Sequence, residues 1–301
     1  MKLPKFTLPP LSIHCWGGIG SQLGAYALFS ELREEGDRHL NFVLHSSGVT
    51  RRDDSDFRTL FPNASYTFID DYNPKNQQVL PATNLLSNLR NKSSYISRGL
   101  IRRILDITRI VVFSEVKSSK DLMPWTIGVR CTYSNLQVSK TAVLEIDTSL
   151  RNWAASIKGQ IHSEDEFHIV CHYRLGDLLG LNTKTYVSPQ ELSLVIEDIE
   201  RRAKASNILI LTENPEFAEK NLINLLSKEF SISSRNPEVL RVLLLGKKAP
   251  FFIGTNSKIS IWICLLRAQN MMSYKSTFLP KQMKQSLQNI WPDCLTFVDF
   301  F

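Results

Sequence analysis

No stretch of the 301-residue sequence approaches the roughly 18 uninterrupted apolar residues that a membrane-crossing helix needs, so none is expected. Cysteine is sparse. Cys15, Cys131, Cys171, Cys264 and Cys294 are scattered without a CxxC pair, which argues against zinc sites and a disulfide framework and for buried free thiols in a reducing compartment. There is no repeat of fixed period and no low-complexity tract. The first ten residues begin with a basic charge, but prolines stand where the apolar core of a signal peptide would run, so a secretory signal is not expected. Two nucleotide-binding signatures are also incomplete. Gly18 and Gly20 place Leu23 where GxGxxG needs its third glycine, no acidic residue closes the second strand, and no Gly-Lys-Ser/Thr makes a P-loop.

What is present is the make-up of a globular chain, with 43% hydrophobic and 22% charged residues over a length that suits one large or two ordinary domains. A formal charge of +7 favours an anionic partner: nucleic acid, a phosphorylated small molecule or an anionic membrane face. Charge alone does not choose, although nucleic-acid recognition motifs are missing.

Apolar periodicity divides the chain into alternating strands and helices. Leu11–Trp16 reads as a strand, broken by Gly17, Gly18 and Gly20 before a helix from Gln22 to Glu35 that Gly36 ends. A strand over 40–44, a short polar helix over 51–61 stopped by Pro62 and a strand over 66–69 follow. Residues 71–94 are polar and rich in Asn, Pro and Ser, as a loop is. Residues 97–110 form a basic amphipathic helix, with Arg98, Arg102, Arg103 and Arg109 among Leu100, Ile101, Ile104, Leu105 and Ile107. Its basic face is either simply solvated or lies on a membrane surface. Strands are expected over 110–113 and 127–131, then a helix over 149–158. The second half repeats the rhythm, with strands over 167–171, 207–211 and 251–253. Its helices run over 188–205, opened by Ser188-Pro189, 215–227, 237–245 and 258–268. The economical architecture is two α/β halves, residues 1–150 and 151–301, each with a parallel sheet, and a crevice between them.

Chemistry gathers where apolar strands open into polar loops, the ligand-binding edge of parallel sheets. After Phe167–Cys171 come His172, Arg174, Gly176 and Asp177; the arginine offers a planar fork suited to a diphosphate. Buried polar groups at a strand end are costly unless paired or used, so the cluster is either a structural Arg174–Asp177 pair beside a core histidine or a site. The glycines at 17, 18 and 20 make either a tight turn or an anion-binding loop at a helix start. Thr255, Asn256 and Ser257 cap the next helix, hold a phosphate at its positive end, or do both. Glu213 puts an acid on the same sheet edge.

Three of these segments, in this order, resemble the motifs of the α-1,2-fucosyltransferases and related O-antigen fucosyltransferases (glycosyltransferase family 11-like). Gly17-Gly18-Ile19-Gly20-Ser21-Gln22-Leu23 with Tyr26-Ala27 resembles GGLGNQMFQYA, His172-Tyr173-Arg174-Leu175-Gly176-Asp177 resembles HxRRGDY, and Asn256-Ser257-Lys258-Ile259-Ser260-Ile261-Trp262 resembles NSSFSWW. Thr212-Glu213-Asn214 stands where the family often has Ser-Asp-Asp, and Phe278-Leu279-Pro280 is similar to the end of its last motif. The departures are Ser21 for Asn, Leu175 for the second Arg, Leu178 for Tyr and Ile261 for the first Trp; they leave the donor open between GDP-L-fucose and a relative such as GDP-colitose.

The resemblance implies a GT-B-like fold, with two Rossmann-like domains, acceptor side first and donor side second, and a cleft between them. It implies an inverting glycosyltransferase without metal or other cofactor. Such an enzyme moves L-fucose or a related 6-deoxyhexose from a GDP-sugar to a galactose-type hydroxyl of an oligosaccharide or lipid-linked acceptor. The setting it implies is O-antigen or other surface-polysaccharide synthesis, in the cytoplasm or at the inner face of the membrane. In keeping with this, no DxD pair stands at a strand end; Asp53-Asp54 opens a polar helix instead. Under the resemblance Arg174 binds the β-phosphate and neutralises the departing GDP. Thr255, Asn256 and Ser257, with Glu213 and Gln22, complete the donor site, and Gly17, Gly18 and Gly20 let the first loop approach the diphosphate. The base that takes the acceptor proton is one of Asp177, His172, His14 and Glu213. The alternative is a non-catalytic nucleotide- or glycan-binding protein that keeps the fold; no nucleic-acid partner is expected.

Overall fold

Residues 8–36, 38–47, 51–72, 103–112, 116, 119–131, 137–157, 167–175, 186–203, 207–226, 231–269 and 276–301 are described by the computed structural model. The chain divides into two compact units, Met1–Ala142 and Val143–Phe301.

In the first unit the strands β1 (Leu11–Trp16), β2 (Leu40–His45), β3 (Thr67–Ile69), β4 (Val111–Val112) and β5 (Gly128–Cys131) form one sheet in the order β3-β2-β1-β5-β4, parallel throughout. Strand alternation sorts β1: Leu11, Ile13 and Cys15 are buried, while Ser12, His14 and Trp16 are half-buried on the opposite face. Helix α1 (Ile19–Glu35) is apolar on nearly every side and correspondingly buried through most of its length. It packs with α2 (Ser55–Leu60) through an aromatic cluster in which Tyr26 lies 4.1 Å from Phe61 and 5.5 Å from Phe57, ring centre to ring centre. The helix starts three residues earlier than the glycine spacing suggests. Gly20 lies in its first turn, and Gly18 is the N-cap in extended backbone. Gly17 is the turn itself: its φ is +132°, and a Cβ there would fall 2.7 Å from Ser21 Oγ.

Of the basic segment over 97–110, residues 97–102 lie outside the described residues, and 103–107 are helical. The helix closes with Arg109 in the left-handed region at φ 56° and Ile110 N–H donating to Leu105 O at 3.1 Å, a Schellman-type ending in which arginine takes the place usual for glycine.

The second unit begins with most of α3 (Lys140–Ser156), which starts well before the expected 149. Ser139 Oγ accepts the Ala142 N–H at 3.1 Å, a capping signal hidden in a polar stretch. The strands β6 (Ile169–His172), β7 (Asn207–Leu211), β8 (Ser231–Arg235), β9 (Phe251–Gly254), β10 (Thr277–Leu279) and β11 (Asp299–Phe300) form a parallel sheet in the order β11-β10-β9-β6-β7-β8. That is the doubly wound order of a Rossmann fold. Two Rossmann-like units in one chain are the make-up of the GT-B-like fold that the motifs imply. Strand β8, Ser-Ile-Ser-Ser-Arg, was not expected from sequence because an edge strand needs little apolar content. Helices α4 (Pro189–Ala203), α5 (Pro215–Asn221), α6 (Val239–Lys248), α7 (Lys258–Gln269) and α8 (Lys284–Ile290) complete the unit. Helix α5 is shorter than the expected 215–227; Asn214 Oδ1 caps it by accepting Phe217 N–H at 3.0 Å, and a 3-10 turn follows. The odd side chains of β6 and its exit, Ile169, Cys171, Tyr173 and Leu175, enter one core with Leu192, Ile196 and Ile199 of α4, spaced as one helix face. Among the described residues no helix is long and apolar enough to cross a membrane.

Candidate functional site

The strand order of the second unit reverses between β6 and β9, and ligands of open parallel sheets sit at the carboxyl ends flanking such a reversal. The two loops that leave these strands are His172-Tyr173-Arg174-Leu175 and Gly254-Thr255-Asn256-Ser257. Two of the segments singled out in the sequence therefore converge on one sheet edge. Thr255 joins them: its Oγ1 accepts the Arg174 N–H at 2.8 Å and donates to His172 O at 2.9 Å, and its N–H bonds the same carbonyl at 3.1 Å. The Thr255 hydroxyl is thus spent on holding the backbone from which Arg174 projects.

Alternation then separates the neighbours of Arg174. Tyr173 and Leu175 are buried in the α4-side core, so even-numbered His172 and Arg174 belong to the other side. Leu175, where the resembling family has its second arginine, is fully buried there and offers nothing to an anion. Its N–H donates to Glu213 Oε2 at 3.1 Å, which brings Glu213 to the same edge.

His172 shares a hydrogen bond of 2.9 Å between Nδ1 and Ser260 Oγ on α7. Burial lowers its pKa to about 4, against a favourable field from Glu213 and with a further lowering by Arg174. At neutral pH it is an uncharged imidazole held by a hydroxyl. Gly254 makes that contact possible: a Cβ there would lie 2.6 Å from Leu279 Cδ2 and 2.7 Å from Ser260 Cβ, so only glycine lets α7 come in so close. Ser257 caps α7, its Oγ accepting Ile259 N–H at 3.2 Å, and the first turn of that helix has no acidic residue. The N-terminus of α7 and the backbone that carries Arg174 thus meet at one edge, an electrostatic setting for an anionic group. Asn256 is half-buried beside them. Asp177 lies outside the described residues.

In the first unit Gly17 and Gly18 lead into α1, whose first turn holds Gly20, and buried Gln22 braces the entry by donating its amide nitrogen to Gly17 O at 3.3 Å and Asp53 O at 3.0 Å. His14 lies on the polar face of β1. Its Nδ1 is 2.9 Å from His45 Nε2, and His45 Nδ1 is 2.8 Å from Asp71 Oδ2. The ring of Trp16 stacks on His45 at 4.1 Å, and the Arg130 guanidinium lies 5.2 Å from the centre of the Trp16 ring.

Sequence reasoning missed Ser260, His45 and Asp71. Ser260 sits inside a helix motif valued for its aromatic neighbours. Asp71 opens a polar stretch, and His45 is one residue past an apolar strand, the only local signal that would have drawn attention to it.

No protein-family model and no curated protein matches the chain. Solved structures to which it is similar include NodZ α-1,6-fucosyltransferase soaked with GDP-fucose, at 15% identity over 85% of this chain and 92% of that one, with a TM-score of 0.44. POFUT1 in complex with GDP-fucose is similar at 10% identity over 92% and 98% of the two chains, with a TM-score of 0.46. The UDP-GlcNAc 2-epimerase of Methanocaldococcus jannaschii is similar at 12% identity over 95% and 91%, with a TM-score of 0.45. At such identities the function has to be argued from the residues of the site itself.

Proposed function

We propose that the chain is a glycosyltransferase of GT-B architecture. It would move L-fucose or a related 6-deoxyhexose, with inversion, from a GDP-sugar to a galactose-type hydroxyl of a saccharide or lipid-linked acceptor, without a metal. Surface-polysaccharide or O-antigen synthesis at the cytoplasmic side of a membrane is the setting that fits such a reaction. The observation that carries the proposal is the 2.8 Å bond from Arg174 N–H to Thr255 Oγ1, a contact between loops 81 residues apart that meet at a Rossmann switch point. It ties together two of the three segments that resemble the fucosyltransferase motifs.

In this reading the diphosphate lies against Arg174 and the α7 N-terminus. As the bond from the anomeric carbon to the diphosphate breaks, negative charge grows on the leaving oxygen. A guanidinium carried on a backbone that Thr255 already fixes would stabilise that charge. Leu175 supplies no second cation, so Arg174 and the helix terminus together have the work that two arginines share in the resembling family. Neutral His172 fixes the loop through Ser260 and is ill suited to take a proton, because its pKa of about 4 makes it a weak base.

The test is binding followed by turnover. GDP-fucose at 100 times its Kd should stabilise the chain by about 2.7 kcal/mol, read as a rise in melting temperature, whereas UDP-sugars should not. Incubation with GDP-fucose or GDP-colitose and a galactose-terminated acceptor should release GDP in step with glycoside. Stabilisation without turnover would favour the non-catalytic nucleotide-binding alternative, and no response to any GDP-sugar would end both.

A specific surface supports peripheral contact with an anionic membrane. Ile104, Ile107, Ile110, Met123, Trp125 and Ile127 are all exposed, Ile107 at 80% and Trp125 at 54%. They form one patch, because Trp125 Nε1–H donates to Thr108 O and Ile127 N–H to Ile110 O, each at 2.9 Å. Exposed Arg103 and Lys120 lie in the same stretches. An apolar patch with a tryptophan and basic neighbours suits the headgroup boundary of an anionic bilayer. The doubly substituted Trp125→Ala, Ile107→Ser chain should bind phosphatidylglycerol vesicles roughly tenfold or more weakly in co-sedimentation, from the apolar area no longer buried. Unchanged sedimentation would remove the patch from that role.

A further inference from the structure

The first unit lacks the acid that closes the second strand of a dinucleotide-binding sheet, and the second unit has one. In the Rossmann order of the second unit β6 takes the place of the first strand and β7 of the second. Glu213 stands just past the end of β7 at Leu211. The backbone on either side of it is fixed. Thr212 N–H donates to Arg235 O of β8 at 2.9 Å, Thr212 Oγ1 accepts Asn214 N–H at 3.2 Å, and Asn214 caps α5. Between these anchors Glu213 is exposed, yet one of its oxygens is held: Oε2 accepts the Leu175 N–H at 3.1 Å.

A carboxylate offers about four lone-pair sites and no donor, and Leu175 N–H takes one of them. A diphosphate is anionic and presents acceptors, so Glu213 repels it. What a carboxylate selects beside a diphosphate is a neutral hydroxyl donor, and two adjacent hydroxyls on one sugar can give it two partners.

We propose that Glu213 receives the ribose hydroxyls of the donor nucleotide and sets the preference of the site for a ribonucleotide. The inference rests on the GDP-sugar reading and lies wholly within the second unit. Strand order supports it. Strands β9 and β7 flank β6 on either side, so the exits that lead to the α7 N-terminus and to Glu213 stand about 10 Å apart, two strand spacings. Ribose is joined to the α-phosphate and follows the diphosphate along this edge toward β7. In dinucleotide-binding sheets of the same order, an acid after the second strand accepts the ribose 2′-hydroxyl. Here Arg174 and α7 take the place of the glycine-rich turn, while the acid keeps its position. The field of Glu213 also reaches buried His172: burial lowers the pKa of that imidazole, Glu213 opposes the shift, and Arg174 lowers it further. The carboxylate and the Arg174 cation therefore act on one small region of the edge. Bracing Leu175 is a structural duty of the same carboxylate, so the decisive comparison is between ligands rather than between proteins.

Calorimetric binding to the full chain reads the role without acceptor or turnover. The ligands are GDP, 2′-deoxy-GDP and 3′-deoxy-GDP. The wild type should bind at least one deoxy analogue about 10- to 100-fold more weakly than GDP, the loss expected for a hydrogen bond to a charged acceptor. This comparison needs no variant, so it stands even where a substitution disturbs the fold. Glu213→Ala should bind GDP no better than the wild type binds that analogue, and should no longer tell the two apart. Glu213→Gln, which keeps an oxygen acceptor and loses the charge, should fall between. A carboxylate that only braces the loop gives a different pattern, because its loss weakens GDP and both analogues by the same factor. That pattern, or a wild type that binds all three alike, overturns the ribose role and leaves the donor reading in place. Tighter GDP binding by Glu213→Ala overturns it too, since the carboxylate then faces the phosphates. If Glu213→Ala weakens GDP-fucose but not GDP, the hydroxyls are those of the hexose and the ribose assignment falls. A wild type that binds neither GDP nor any GDP-sugar overturns the donor reading and this role together.

Discussion

Arg174→Ala should lower kcat for transfer by about 10²–10³-fold, or roughly 2.7–4 kcal/mol, the range for removing one preorganised donor from a developing anion. The fold should survive, because the residue holds its loop through the backbone. The Arg174 N–H bonds Thr255 Oγ1, and the adjacent Tyr173 N–H bonds Leu211 O at 2.8 Å, both independent of the side chain. The apolar anchors of the loop, Tyr173 and Leu175, point into the opposite core. Arg174→Lys separates charge from geometry. Lysine restores a cation but not the planar fork, so the rate should recover in part. The donor KM should move less than kcat if the interaction belongs to the transition state. Near-normal turnover in Arg174→Ala, with an unchanged melting temperature, would take Arg174 out of the reaction.

The sequence shows Arg174 clearly because its surroundings obey local rules. An apolar run of β composition ending in polar residues marks the exit of a buried parallel strand, and Phe251–Gly254 followed by small polar residues says the same of β9. That these two exits meet depends on strand order, which periodicity does not report; the motif resemblance points to both loops, and the structure brings them together. Elements whose signals are weak or non-local escape. Strand β8 reads as a polar stretch because it is an edge, and α3 begins at a Ser139 cap that precedes its apolar rhythm. The Asp71–His45–His14 chain joins two strands of one sheet and the exit of a third, and no window of sequence contains it. Ser260 was hidden for a different reason: it faces inward on a helix whose apolar neighbours dominate the pattern.

Arg267 is the extreme case of this blindness, and its loss should have the largest effect on stability. On sequence it is one basic residue near the end of an apolar helix, the usual complement to a helix dipole. In the fold it is 1% exposed and spends its whole donor set on oxygens. Nη1 donates to Gly246 O at 2.9 Å, Lys247 O at 3.3 Å and Ala249 O at 2.6 Å. Nη2 donates to Pro250 O at 3.1 Å and to Ser276 O and Oγ at 3.0 and 2.7 Å, and Nε to Thr277 Oγ1 at 2.8 Å. The first of these are carbonyls at the end of α6, which a helix terminus leaves without partners of its own. One guanidinium thus closes α6, fixes the entry to β9 and ties both to the start of β10. Burial lowers its pKa to about 10, still well above neutrality, so the cation persists at pH 7. Removing it strands several buried carbonyls at once, each costing about 1–3 kcal/mol when left unsatisfied. Relaxation and entering water will recover part of that sum. Arg267→Met, which keeps the volume and loses every donor, should therefore destabilise the chain by roughly 3–5 kcal/mol, a large share of the roughly 5–15 kcal/mol typical of a domain. Arg267→Lys should fall between, since three donors on a flexible stem cannot reach all the oxygens that five in a plane can. Urea denaturation reads the order directly: the midpoint should fall from Arg to Lys to Met. A Met variant within about 1 kcal/mol of the wild type, below the cost of stranding even a few carbonyls, would mean that water replaces the guanidinium at little cost and that the staple is not what holds α6, β9 and β10 together.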